Sequence, residues 1–329
     1  MSTVDLHEHV TTSGQDTPVA GVTADTAGML WKPATLLDRI LVATDGSRAG
    51  GAALRMAREL VARKRGSVGD VRVVTVLHRP APAGMAGFVL GETASVPSYA
   101  RSSLSRIRRQ IRSAGLPGWE LHVEFGSPAR AICRAAKHTA STLVIIGIGR
   151  HTPTARLFGA DTARRVVANA DVSVLSVAED TPTLGHSAVV AVDFSAASAR
   201  VARAAMSLLE PPANLHLVHV RPRLETAPPE MEGYQHIYMS GVEAALGELR
   251  SSLPKVDGIT VGSFVITGAP DTAILDFARR LNAGFIAAGR HGHGIAERLL
   301  IGSTTNALLA RAECPILTTP PAQRTSPRA

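Results

Sequence analysis

A chain of 329 residues is longer than the roughly 100–200 residues that one hydrophobic core usually organises, so two domains are expected. Hydrophobic residues at 45% and aromatics at only 4% call for cores of Val, Ile, Leu and Ala, as in parallel strands covered by helices on both faces. The formal charge of +8 and the isoelectric point near 10.3 favour anionic partners in general, without choosing among nucleotides, nucleic acid and acidic lipid, and no apolar run approaches the ~20 residues that would span a bilayer.

Residues 1–36 lack the basic and apolar stretches of a signal peptide and read as a flexible N-terminal tail of a cytoplasmic protein. His7, Glu8 and His9 cluster there, but a polar tail without further ligands is not assigned a metal. A first strand at Ile40–Thr44 meets Ser47 as helix N-cap, and a helix carrying Ala53, Leu54, Met56, Ala57, Leu60 and Val61 follows. A second strand is Val71–Leu77, then a Gly/Pro/Ser loop runs from Arg79 to about Ser98. The run Arg101 to Arg112 sets Ile107 and Ile111 on one face and Arg106, Arg109 and Arg112 elsewhere. It reads as an amphipathic helix with a solvated basic face, and without interleaved aromatics no nucleic-acid partner is expected. Strand three is Leu121–Phe125, Gly126-Ser127-Pro128 opens a helix with Pro in its first turn, strand four is Leu143–Gly147, a helix covers Thr162–Asn169, and strand five is Ser173–Val177. Each crossover is long enough for parallel pairing. Cys133 and Cys314 have no CxxC spacing and read as reduced, buried thiols.

The same pattern then repeats. "VTVLHRP" ending at Pro80 returns as "HLVHVRP" ending at Pro222, Gly126 returns as Gly268, and "TLVIIG" ending at Gly147 returns as "GFIAAG" ending at Gly289, each 142 positions later. The opening strands "ILVATDGS" through Asp45 and "VVAVDFS" through Asp193 are 148 apart, so one gap falls in or just after the first helix. The resulting division is a unit at 37–179, a linker at 180–185, a second unit at 186–320 and a C-terminal tail at 321–329. The apolar fifth strands, Val174–Val177 and Ile316–Thr319, would be exposed edges unless the two units pack as an internal pseudo-twofold dimer. Nothing in the sequence supports or opposes a further homodimer.

A doubly wound sheet binds ligands beyond the carboxyl ends of its strands, where the strand order reverses. If the strands ending at Asp193 and Gly289 are neighbours, a carboxylate and a glycine loop share one crevice. Gly289 and Gly292 let backbone approach a ligand closely or take positive φ. Gly302, Ser303 and Thr304 open a helix whose free N–H groups, dipole and hydroxyls suit phosphate.

The spacing Gly-x2-Gly-x9-Gly-Ser between a strand and a helix, with "VVAVDFS", "HLVHV" and "GAPDTAILDFA", resembles the ATP-binding signature of the universal stress protein family, in two tandem copies from Leu37 to Pro320. The resemblance implies two tandem doubly wound, five-stranded parallel α/β sheets, Rossmann-like and of the adenine-nucleotide alpha hydrolase kind. It implies ATP, with or without Mg2+, as the ligand: adenine and ribose near Asp193 and Val220, phosphates at Gly289, Gly292, Gly302, Ser303 and Thr304. Asp193 has a physical warrant too, since a carboxylate at a switch point accepts hydrogen bonds from a ribose. Phe194 replaces a common Gly and is expected to narrow the pocket mouth, and Gly284 replaces a common Asp, affecting only the strand entry. In the first copy Asp45, Gly147 and Gly159 remain as weaker candidates. Arg150 stands in place of Gly292, His78 in place of Val220 and Ala160 in place of Ser303, and the loop is one residue shorter, so weaker or no nucleotide binding is expected there.

No Walker-type Gly-Lys-Ser/Thr is present, which argues against P-loop phosphoryl transfer. His291 and His293 flank Gly292 and read first as solvent-exposed loop residues, with phosphate contact the next reading and metal binding the last. Ser47 and Ser195 read as helix caps rather than nucleophiles. The expectation is therefore a nucleotide-binding regulatory or stress-response protein that is not an enzyme. The alternatives are a tandem interaction module whose nucleotide is structural or absent, and an enzyme that hydrolyses ATP slowly.

Overall fold

The computed structural model describes residues 36–63, 70–77, 98–116, 118–149, 160–181, 183–221, 232–291 and 301–321, the side chains of 98–100, 160 and 232–236 excepted. Residues 1–35 and 322–329, the loop after the second strand, His78, Arg150, Gly159, Gly292 and His293 lie outside the described residues.

The first half runs β1 (Arg39–Ala43), α1 (Arg48–Arg63), β2 (Asp70–Leu77), α2 (Ser98–Ser113), β3 (Leu121–Phe125), α3 (Pro128–His138), β4 (Leu143–Ile148), α4 (Ala160–Asn169) and β5 (Ser173–Ala178). The second repeats it as β6 (Ser187–Val192), α5 (Ala196–Leu208), β7 (Ala213–Arg221), α6 (Glu232–Ser251), β8 (Ile259–Thr267), α7 (Pro270–Arg280), β9 (Phe285–Gly289), α8 (Ser303–Arg311) and β10 (Ile316–Thr319). Pro128 and Pro270 open α3 and α7, where their missing N–H groups have no helical acceptor to lose.

The strands form one sheet in the order β3-β2-β1-β4-β5-β10-β9-β6-β7-β8. All pairings are parallel except the central one, where β10 runs antiparallel to β5 and sets Leu317 opposite Leu175. The two five-stranded units are thus joined edge to edge, and every residue of β5 and β10 is buried. This pairing removes the edges that the apolar fifth strands would otherwise expose, as the sequence led us to expect for an internal pseudo-dimer.

Helices cover both faces. Side chains of α1, α2, α5 and α6 form the core on one face, and those of α3, α4, α7 and α8 the core on the other. The linker is held tightly: Leu184 is buried and its N–H donates to Glu59 Oε1 at 3.1 Å, while Arg63 Nη1 donates to the Gly185 carbonyl at 3.1 Å. Where it crosses Gly284, the Leu184 carbonyl occupies the space a Cβ would need. Glycine at the entry to β9 is therefore required by the crossing chain, a stronger constraint than the sequence suggested.

Candidate functional site

In the second half the order reverses between β6 and β9, which pair in parallel through Ala188↔Phe285 and Val190↔Ala287. Asp193 follows β6, and Gly289 ends β9, so the two predicted elements meet at one switch point. The Asp193 carboxylate is fixed there. Its Oδ1 accepts from the Ser195 N–H at 3.0 Å, the Ser195 hydroxyl at 2.6 Å and the Ser198 hydroxyl at 2.8 Å. Ser195 occupies the N-cap position of α5 but makes no side-chain cap bond, so its hydroxyl orients Asp193 rather than capping the helix. Ser47 behaves as expected, its Oγ accepting from the Gly50 N–H at 3.1 Å.

Helix α8 is clamped onto the end of β9. The Gly302 N–H donates to the Arg290 carbonyl at 2.9 Å, and Thr305 Oγ1 donates to the Gly289 carbonyl at 2.8 Å. Gly302 is the N-cap, and no side chain caps the helix. The first-turn amides of Ser303, Thr304 and Thr305 therefore have no capping side chain, and together with the helix dipole they favour an anion. Neither Gly289 nor Gly302 has positive φ. The use of glycine at 289 is space, since a Cβ there would come within 3.1 Å of the His291 carbonyl and 3.4 Å of the Ala197 methyl.

A cleft of about 300 Å³ opens between these elements, at the lower end of the range for small-molecule sites. Its walls include Asp193, Val220, Gly289, Gly302, Ser303 and Thr304, so six of the seven residues singled out in this half face one space; Gly292 lies outside the described residues. Its walls combine a fixed carboxylate, apolar side chains of Val218, Val220 and Ile274, and the uncapped start of α8.

The structure adds Ser198, which the sequence did not single out, and places His291. Ser198, only 2% exposed, lines the cleft and holds Asp193. His291 also lines it, half-buried and with Nε2 unpartnered among the described residues, so the first reading, a solvent-exposed loop residue, gives way to the second, a residue placed at the cleft. Burial, then the neighbouring Arg290 charge, push its pKa below the ordinary histidine value, so the ring is neutral at neutral pH. Arg290 itself is buried, and its Nη1 donates to the carbonyls of Val167 at 3.2 Å and Ala170 at 2.9 Å, at the end of α4 in the other half.

Phe194 takes φ +61° where its first-half counterpart Gly46 takes +77°. Its ring packs 4.5 Å from that of His219, whose Nε2 is 3.1 Å from the Tyr238 hydroxyl. Phe194 is not part of the cleft wall; it leans onto β7 and the core instead of narrowing the mouth.

The first half uses the equivalent positions differently. Asp45 Oδ1 accepts from the Ser47 N–H at 2.9 Å, and Gln110 of α2 donates to the carbonyls of Gly46 at 3.0 Å and Ser47 at 3.2 Å. At Gly147 the place of a Cβ is filled by the Ala49 carbonyl of α1. The close approach that glycine permits here is made by the protein's own helix. Gly159, the third candidate of this half, lies outside the described residues.

Among the described residues no group of three His, Cys, Asp or Glu side chains is placed to hold a metal ion, and no helix is long and apolar enough to cross a membrane. Burial, aided by the Asp171 charge and opposed by Arg290, pushes the Cys133 thiol up to about 11, which keeps it protonated and unreactive.

The architecture has close counterparts. A universal stress protein of Archaeoglobus fulgidus DSM 4304 superposes with a TM-score of 0.56 at 19% identity, over 86% of this chain and 98% of its own. A protein of Pseudomonas aeruginosa UCBPP-PA14 assigned to the same family gives 0.59 at 17% identity, over 88% and 95%. These likenesses establish the fold. A comparison with curated proteins gave no match. The profile of the universal stress protein family matches residues 37–178 and again 186–320, so this chain belongs to that family and carries two tandem copies of its domain.

Proposed function

We propose that the protein is a regulatory, stress-response member of its family that binds an adenine nucleotide, ATP, in the cleft of the C-terminal half. The observation that carries this reading is the juxtaposition in one cleft of a fixed carboxylate, Asp193, with the uncapped start of α8 at Gly302, Ser303 and Thr304. In this reading Asp193 accepts from the ribose, Val220 packs against the base, and Gly289 with the α8 amides and hydroxyls holds the phosphates. Any Mg2+ would arrive with the phosphates, since among the described residues no group of three His, Cys, Asp or Glu side chains is placed to hold one. The reading is one of binding rather than turnover: two serine hydroxyls already engage Asp193, which suits orientation better than proton transfer.

The test is equilibrium titration of the full chain with ATP, comparing Asp193→Ala with Asp45→Ala. A lost hydrogen bond to a charged group is worth about 1.5–3 kcal/mol, so Asp193→Ala is expected to weaken binding roughly ten- to a hundredfold. Asp45→Ala is expected to leave it within a factor of two. Equal losses in both variants, or none in either, would place the nucleotide elsewhere.

A further inference from the structure

Nine arginines against a single glutamate stand on α1 and α2, so these two helices alone carry a formal +8, the whole excess of the 329-residue chain. The rest of the protein is neutral in sum. The pseudo-twofold supplies an internal control. In the second half the equivalent helices α5 and α6, on the same face of the sheet, carry three arginines against three glutamates. The fold does not need this charge, because one copy of it does without.

The charged side chains are exposed on two adjoining helices. Arg48, Arg55 and Arg58 of α1 and Arg101, Arg106, Arg108, Arg109 and Arg112 of α2 are exposed. The helices adjoin: Gly51 faces Gln110 and Arg55, and Gly115, just past α2, faces Arg58. Among the described residues none of the five α2 arginines makes an ion pair, whereas Arg48 meets Glu179 and Arg63 meets Glu59. At 100° and 1.5 Å per residue, Arg101, Arg108 and Arg112 form a stripe within roughly 40° of arc, with intervals of about 10 and 6 Å.

The surroundings of the patch select among polyanions. A helix that lies in a membrane interface needs an exposed apolar face, but Leu104, Ile107 and Ile111 of α2 are buried in the protein's own core. No exposed large hydrophobic side chain among the described residues belongs to α1 or α2, so the apolar anchors of a protein–protein hot spot and the aromatics that stack single-stranded bases are missing from the described surface. What remains is charge at a rigid surface, which suffices for the phosphate backbone of a duplex and carries no base readout.

We propose that the α1/α2 face of the first half is a binding surface for duplex nucleic acid that contacts its phosphates without sequence preference. Read from sequence alone, Arg101 to Arg112 is an ordinary solvated helix face. The collection of the entire net charge on two adjoining helices, against a neutral twin in the same fold, changes that reading. The surface is independent of the nucleotide cleft, whose walls lie in the other half.

The experiment is fluorescence anisotropy of a labelled 20-base-pair duplex with the full chain across a salt series. With about five phosphates neutralised, log K against log salt is expected to fall with a slope of roughly −4 to −5. Arg101→Gln, Arg108→Gln and Arg112→Gln together should weaken binding more than tenfold and reduce the slope by roughly 3. The equal-charge control Arg250→Gln, Lys255→Gln and Arg280→Gln, all exposed positions of the second half, should stay within twofold of the parent. Equal losses in the two triple variants would reduce the effect to net charge and overturn the proposal. So would no duplex binding at 100 mM salt, or binding to phosphatidylserine vesicles under conditions where the duplex does not bind.

Discussion

The guanidinium of Arg290, one residue past the end of β9, donates to the carbonyl of Ala170 at 2.9 Å and so ties the second half to the last turn of α4 in the first. Its backbone carbonyl meanwhile accepts from the Gly302 N–H at the start of α8. One residue therefore satisfies helix-end carbonyls of one half and the base of the cleft loop in the other. Its first-half counterpart is Ile148, a buried apolar residue, so the tie is one-sided. Burial lowers the pKa of Arg290, with Asp171 opposing, and the group stays charged. Arg290→Met is expected to cost about 2–4 kcal/mol in urea unfolding, since it leaves carbonyls of the interface without a partner, and to weaken ATP binding through the displaced Gly302. An unchanged unfolding midpoint would show that water replaces the arginine.

The two glycines that end β4 and β9 should respond differently to the same change. Gly147→Ala drives a methyl into the Ala49 carbonyl and is expected to destabilise by about 3 kcal/mol or more, because backbone rather than a flexible side chain must move. At Gly289 the nearest atoms stand 3.1 and 3.4 Å from the added methyl, so Gly289→Ala should cost less than 1.5 kcal/mol in stability and appear as a loss of ATP affinity. Thermal melts and ATP titrations of the pair check the contrast.

Phe194 offers a test of backbone strain. At φ +61° any side chain disfavours the left-handed region, and glycine does not. Both Phe194→Gly and Phe194→Ala lose the contact with His219, but only the first relieves the strain. Phe194→Ala is expected to be less stable than Phe194→Gly by about 1 kcal/mol in urea unfolding; the reverse order would contradict the account.

His216 lies among Phe264, 5.4 Å away, and Phe277, 6.3 Å away, with Nδ1 unpartnered among the described residues and Arg280 over the far ring. Burial lowers its pKa below the unfolded value near 6.5. A folded-state value below the unfolded one means that the unfolded chain takes up the proton first. The stability contribution is complete above about pH 6.5 and is lost as the pH falls below it. His216→Leu should flatten the decline in unfolding free energy between pH 7 and pH 5, and an undiminished slope would assign the decline to other groups.

The periodic parts of this fold were legible because repetition and apolar alternation fix strands and crossovers locally. β3 falls where Leu121–Phe125 was read, and β5 runs one residue past Val177. The junction of β5 with β10 followed from two apolar edges that had to be covered. The features that escaped depend on atoms distant in sequence. Arg290 could not be recognised as a tie, since its acceptors are main-chain carbonyls 120 and 123 residues away. Ser195 looked like a cap because its type and position fit one; only the fold shows its hydroxyl turned back to Asp193. His291 sits in a loop sequence whose first reading is solvent exposure, and only the fold shows it lining the cleft.

The most direct test of the account measures ATP and adenosine binding to Ser303→Ala and Asp193→Ala in the full chain. Ser303 sits at the first turn of α8 and Asp193 just past β6, and both line the cleft. Removing the Ser303 hydroxyl should weaken ATP roughly ten- to a hundredfold, the worth of one hydrogen bond to a charged group, and leave adenosine unchanged because it has no phosphate. Removing the Asp193 carboxylate should weaken both ligands alike. If both folded variants bind ATP as tightly as the parent, the cleft between Asp193 and Ser303 is not the nucleotide site.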